Sequence, residues 1–170
     1  MKKKLASVLL VSLLPACGGS DSPAAPPPPP PTTLPAVGRY SVSVTPDPII
    51  ASPSGDATYP WHAEWRVTIR DDAGLEGDVN RVVTTAKNNF GFTVIVGDYS
   101  PSDFEEAGLT NHIPRNGALV YDDGWTYFAD GSGGQQLTLT IAAEVIDSRG
   151  NHMNVLDEVR VTALEHARLE

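Results

Sequence analysis

Cysteine is almost absent from this chain: its 170 residues include one, Cys17. A lone thiol leaves no intramolecular disulfide, so whatever folds here is held by its apolar core. Long apolar runs are missing too. The greasiest stretch, Leu5 to Leu14, is about ten residues, or roughly 15 Å as a helix, against a hydrocarbon core of about 30 Å. It is too short to span a bilayer. Positive charge is scarce, with 12 Lys and Arg against 21 Asp and Glu, a net charge of −9. Such a surface repels nucleic acid and anionic headgroups, which excludes a nucleic-acid partner. Motifs of site chemistry are absent as well. His62, His112, His152 and His166 show no H-x-H or H-E-x-x-H spacing, no serine sits in G-x-S-x-G, and no D-x-D-x-D-G loop occurs. No catalytic residue, metal ligand or cofactor is therefore assigned, and the chain is read as non-enzymatic.

What is present begins with MKKKLASVLLVSLLPAC. Lys2, Lys3 and Lys4 form a basic segment ahead of the apolar one, the layout of a signal peptide, and residues 1–16 are set apart from the fold on that ground. Leu14-Pro15-Ala16-Cys17 resembles the lipobox of bacterial lipoproteins, an aliphatic residue and a small one leading to cysteine. The resemblance implies cleavage between Ala16 and Cys17, a thioether link from Cys17 to diacylglycerol, and fatty acyl chains such as palmitate holding the new N-terminus to a membrane. Each buried methylene contributes about 0.8 kcal/mol, so two or three chains anchor firmly where one anchors marginally. Gly18 follows the cysteine where an Asp favours inner-membrane retention, so the resemblance implies the outer membrane if the host is Gram-negative. The competing reading is an ordinary secretory signal followed by an idle cysteine. With the leader removed, nine basic side chains face 21 acidic ones, a net charge of −12.

Residues 17–37 read as a linker. Pro23, Pro26 to Pro31 and Pro35 fix φ and lack an N–H, which rules out helix or sheet interior. An extended polyproline stalk of up to roughly 60 Å is expected, at about 3.1 Å per residue. A spacer off the membrane is preferred over a ligand for a proline-recognising domain.

Residues 38–163 read as one all-β domain, and 164–170 as a tail. In Trp61 to Arg70, Trp61, Ala63, Trp65, Val67 and Ile69 alternate with His62, Glu64, Arg66, Thr68 and Arg70. Period two over that length is a half-buried antiparallel strand. Asp71-Asp72-Ala73-Gly74 ends it. Gln135 to Ile146 alternates likewise and turns at Asp147-Ser148-Arg149-Gly150-Asn151 into a return strand, Val155 to Ala163. Shorter strands are expected at Tyr40 to Val44, Val79 to Thr85, Phe92 to Val96, and on both sides of an Asp122-Asp123-Gly124 turn, at Ala118 to Tyr121 and Trp125 to Phe128. Ser102-Asp103-Phe104-Glu105 has capping-box spacing for one helical turn ending at Gly108. Seven to nine short strands between turn signals make an antiparallel β-sandwich. The pattern, with its D-x-x-G-N turn at Asp147 to Asn151, resembles bacterial immunoglobulin-like domains, and that resemblance implies architecture without naming a function.

Three features are candidate sites. His62 on a polar strand face and His112 in a loop read as solvated. Asp71, Asp72, Asp122, Asp123, Asp130 and Asp147 could offer turn oxygens to calcium, but Asp also favours turns for its own backbone hydrogen bonds. Trp61, Trp65 and Trp125 could stack on a sugar, but two of them share a face with Val67 and Ile69, which makes them core. The leading reading is a lipid-anchored interaction or structural domain of the cell envelope, binding an unidentified protein or glycan through loops or a strand edge. The alternative is a sugar-binding or calcium-dependent adhesion module.

Overall fold

Alternating side chains lay down the strands. The computed structural model describes residues 33–127 and 136–163, with β1 Tyr40–Thr45, β2 Ile49–Pro53, β3 Trp61–Asp71, β4 Gly77–Asn88, β5 Thr93–Tyr99, α1 Pro101–Glu106, β6 His112–Ile113, β7 Ala118–Tyr127, β8 Gln136–Asp147 and β9 His152–Ala163. The protein is all-β. In β3 the burial alternates as the sequence does, with Ala63, Trp65, Val67, Ile69 and Asp71 buried and Glu64, Arg66 and Arg70 exposed. No helix among the described residues is long and apolar enough to cross a membrane.

Pairing sorts the strands into two layers. β3 lies between β1 on one edge, with Val42 opposite Ile69, and β7 on the other, with Val67 opposite Tyr121. The second layer runs β9-β8-β4-β5, with the two-residue β6 beside the start of β4. β2 joins the layers: Ile49–Ala51 run parallel to Val161–Ala163 of β9, whereas Ser52 and Pro53 pair with His62 and Trp61 of β3. β3 thus pairs with β7 rather than with its chain neighbour β4, and β4 with β8. These are the B–E and C–F pairings of an immunoglobulin-like sandwich, with β9 as strand G. Between the layers, Trp65, Val67 and Ile69 meet Val79, Val82, Leu139, Ile141, Val145 and Val161 in one core.

Two buried aspartates close one end of the sandwich. Asp147 accepts hydrogen bonds from the N–H groups of Gly38, Arg149 and Asn151, each at 2.9 Å, and from the Asn151 amide at 2.8 Å. Burial alone would raise its carboxyl, but these donors hold it down at about 2. Gly150, at φ 82°, supplies the left-handed residue this turn needs. Asp71 does the same work at the end of β3, accepting from Ala73 at 2.9 Å, Gly74 at 3.0 Å and Asn116 at 2.8 Å. Tyr40 lies near both, its hydroxyl donating to the Leu75 carbonyl at 2.6 Å, and burial pushes its phenol up to about 12.

Several sequence expectations are corrected here. Asp122-Asp123-Gly124 is not a turn: β7 runs unbroken through it, because the ladder to β3, including Arg66 opposite Asp122 and Glu64 opposite Gly124, holds it extended. A Cβ on Gly124 would sit 2.8 Å from the Ala63 carbonyl oxygen, so the glycine serves a close strand approach rather than a bend. The helix is capped at Ser100, not Ser102. Pro101 suits the first helical position and biases Ser100 to extended backbone, and the Asp103 carboxylate accepts from the Ser100 N–H at 2.6 Å. His112 lies in β6 rather than in a loop. β4, β5 and β9 extend beyond the expected stretches, and β2 was not expected at all.

Candidate interaction surface

The expected anchor, Cys17 after Ala16, lies outside the described residues, as do the proline run up to Pro31, Asp130 and His166. Within the domain, the remaining candidates separate. His62 pairs through Nε2 with Glu64 at 2.9 Å, His112 through Nδ1 with Asp78 at 2.8 Å, and His152 through Nδ1 with Glu144 at 2.8 Å. Among the described residues no three His, Cys, Asp or Glu side chains converge as metal ligands. The lone pairs of Asp71 and Asp147 are engaged by backbone donors, the ordinary use of Asp in a turn. Asp122 is held by Arg66 in a two-point pair at 2.7 and 3.1 Å, whose hydrogen bonds keep its carboxyl below the usual range.

The tryptophans are core or half-core. Trp65 is 3% exposed, and Trp61 and Trp125 are partly buried against the same cluster. Trp65 and Trp125 meet edge to face at 5.1 Å. No flat, exposed tryptophan platform exists among the described residues.

The exposed apolar surface lies elsewhere, along β5. This strand is the last of its layer and, among the described residues, pairs as a strand with β4 alone, which leaves its outer edge free. Phe90 and Phe92, at the hairpin tip between β4 and β5, are 84% and 69% exposed. Val94 and Val96 follow at 50% and 63%, both on the outward side because Ile95 between them packs inward.

Cross-strand register carries the patch over the sheet. Val96 stands opposite Thr85, and Thr85 opposite Thr140. In the next row Asp98, Val83, Ala142 and Leu156 lie side by side on β5, β4, β8 and β9. Val83 and Ala142 are small and half-exposed, and Leu156 is largely exposed. The rim is charged: Arg81 grips Asp98 at 2.8 and 2.6 Å, lowering the Asp98 carboxyl through that hydrogen bond, and Asn80 and His152 hold Glu144. An apolar centre with a polar rim on an exposed sheet face is the anatomy of a protein interface, and an unpaired edge strand is a template for added strands. Sequence reading identified a strand near Phe92 to Val96 but not its exposure. The signal was available in Val94-Ile95-Val96, which is apolar on both faces where an ordinary edge alternates, and in Phe90 and Phe92, which fall on the same face as the two valines.

Comparison with known proteins bears on the fold. No protein-family model matches the chain, and no curated protein matches it in sequence. Solved structures do. A structural-genomics target aligns over 78% of this chain and 89% of its own, at 16% identity and a TM-score of 0.53. The putative ApaA protein from Bordetella pertussis aligns over 76% and 97%, at 13% identity and 0.56. A CARDB domain from Pyrococcus furiosus, solved with di-metal ions, aligns at 12% identity over 77% and 94%, with a TM-score of 0.43 that carries no argument here. At such identities the first two speak for the fold alone.

Proposed function

We propose that the chain is a lipid-anchored, extracytoplasmic interaction module without catalytic function, held off a membrane by its proline stalk. The observation that carries the interaction part is the row Phe90, Phe92, Val94 and Val96 on a free strand edge, continuous with Val83, Ala142 and Leu156. Solvated monomers rarely keep such a contiguous patch without a use for it. Edge pairing gives main-chain hydrogen bonds, and the outward valines and phenylalanines give specificity. The anchoring part is supported by the lipobox-like residues before Cys17. A glycan-binding or calcium-dependent module is the alternative by class; the buried Trp65 and the backbone-engaged Asp71 and Asp147 do not support it.

Two variants test the two parts. Cys17→Ser should move the protein from the detergent phase to the aqueous phase in a partition assay, and unchanged partitioning would remove the anchor. The pair Val94→Asp and Val96→Asp should shrink the assembly seen on native gels of gently solubilised membranes while leaving the melting temperature nearly unchanged. An unaltered assembly would remove β5 as the docking edge.

A further inference from the structure

We infer that the outward face of the β9-β8-β4-β5 layer takes a second copy of this chain, packed face to face about a two-fold axis that runs along the strands between β4 and β8. This occupant rests on the reading of the patch as an interface and gives that interface a partner. The sheet face is covered, and the free edge of β5 stays open.

The face is shaped for another sheet. Its two central strands present small side chains, Val83 and Thr85 on β4 and Thr140 and Ala142 on β8, all half-exposed. Its two outer strands present larger apolar ones, Leu156 on β9 and Val96 on β5, 65% and 63% exposed. About an axis between β4 and β8, β4 of one copy lies over β8 of the other, and β5 over β9. Row for row, Val83 then faces Ala142, Thr85 faces Thr140, and Leu156 falls beside Val96 of the second copy. The small centre lets the sheets reach their ordinary spacing of about 10 Å, and the larger flanks close the sides. Four strands about 4.8 Å apart, over roughly 27 Å of β4 from Arg81 to Asn88, cover about 500 Å² in plan on each copy. The total of about 1,000 Å² reaches the size of a specific interface, at the weak and reversible end.

Charge selects the copy and its orientation. Among the described residues, the rows from Arg81 to Lys87 carry three basic side chains on this face, Arg81, Lys87 and Arg160, and three acidic ones, Asp98, Glu144 and Glu158. Two copies of a chain with a net charge of −9 therefore meet here over a locally neutral surface. Arg81 and Glu144 stand side by side in register. The two-fold sets Arg81 of each copy over Glu144 of the other, a square of alternating charge around the axis, flanked by Asp98 and His152. A two-fold across the strands, centred between the Val83 and Thr85 rows, would set Arg81 over Lys87, a like pair. The axis along the strands also keeps the two chain entries together. Gly38 donates to Asp147, which stands opposite Gly77 at the start of β4, and the Phe90 hairpin lies at the other end of that strand. Both linkers then leave on one side, as two copies anchored in one membrane require.

The test is sedimentation equilibrium of the full chain in a nonionic detergent matched in density to the buffer, with micelles in excess. The chain should dimerise with a Kd on the order of 10 µM. Arg81→Glu and Glu144→Arg each gather like charges around the axis and should weaken self-association at least about tenfold. An equimolar mixture of these two variants should form a mixed dimer within about threefold of the unaltered Kd, because one copy then presents two acids to the other's two bases. A fault inside either chain could not give that recovery. Ala142→Asp, beside the axis, should abolish the dimer and leave the melting temperature nearly unchanged. A chain monomeric at about 200 µM, a dimer that Ala142→Asp leaves intact, or single variants that do not recover on mixing would overturn the inference. The interaction reading is judged apart from it. If the chain is monomeric and the pair Val94→Asp and Val96→Asp still shrinks the native assembly, the patch serves a different protein and only the second copy is refuted. If the chain is monomeric and that assembly is unaltered, both fail.

Discussion

Replacing Trp65 by alanine should be among the most damaging single changes in the domain, and replacing its neighbour Arg66 among the mildest. Trp65 is 3% exposed and meets Trp125 edge to face at 5.1 Å. Truncating a buried Trp costs about 3–5 kcal/mol through lost burial and the cavity left behind. The aromatic pair adds about 0.5–1.5 kcal/mol beyond burial. Against that, the Trp65 indole N–H is buried without a partner among the described residues, and removing such an orphan recovers about 1–3 kcal/mol. The net expectation is about 3 kcal/mol, a large share of the 5–15 kcal/mol typical of a domain. Trp65→Phe, which keeps a ring and removes the orphan, should cost only about 1 kcal/mol. Arg66 is exposed, and its pair with Asp122 lies in water, so Arg66→Ala should cost under about 1 kcal/mol. Urea midpoints followed by far-UV circular dichroism give the three values without relying on the fluorophore being removed. Near-equal, small shifts for Trp65→Ala and Arg66→Ala would refute the register, because a one-residue slip exchanges the two faces.

Further expectations follow from particular residues. Asp147 has a carboxyl lowered to about 2 when folded and an ordinary 3.8 when unfolded. The unfolded chain therefore binds more protons between these values, and the stability from this group, roughly 2 kcal/mol, is present above about pH 4 and lost as pH falls toward 2. Urea midpoints across that range should flatten in Asp147→Asn, and an equal slope in both proteins would count against the buried turn network. Gly124→Ala should cost about 1–3 kcal/mol by forcing a Cβ against the Ala63 carbonyl. A neutral effect on thermal melting would mean the β3–β7 ladder is looser at that point.

The long strands were legible because half-burial writes itself into the sequence. β3 and β8 each hide one face along their length, so period two survives without knowledge of the partner strand. β2 was illegible for the opposite reason. It has five residues, begins directly after Pro48, and owes its conformation to two different strands, β9 and then β3. Asp122-Asp123-Gly124 carries turn residues, yet Arg66, Glu64 and the close approach of Ala63 fix it as strand, and all of those are distant in sequence. The same non-locality hid the setting of Asp123, which reads as a turn carboxylate although β5 brings the Tyr99 hydroxyl to it. The exposure of Val94 and Val96 depends on β5 being the last strand of its layer, which no local pattern states.

Site-specific photocrosslinking in the intact host envelope tests the interaction reading most directly. A benzophenone side chain placed at Val94 or Val96 samples the free edge of β5, and one placed at Glu64 or Arg70 samples the exposed face of the opposite layer. All four positions are solvent-facing, so the variants should fold alike. Discrete adducts of defined mass from the two β5 positions, absent from the β3 positions, are expected. No adducts from β5, or the same adducts from both layers, would contradict the assignment of this edge as the docking surface.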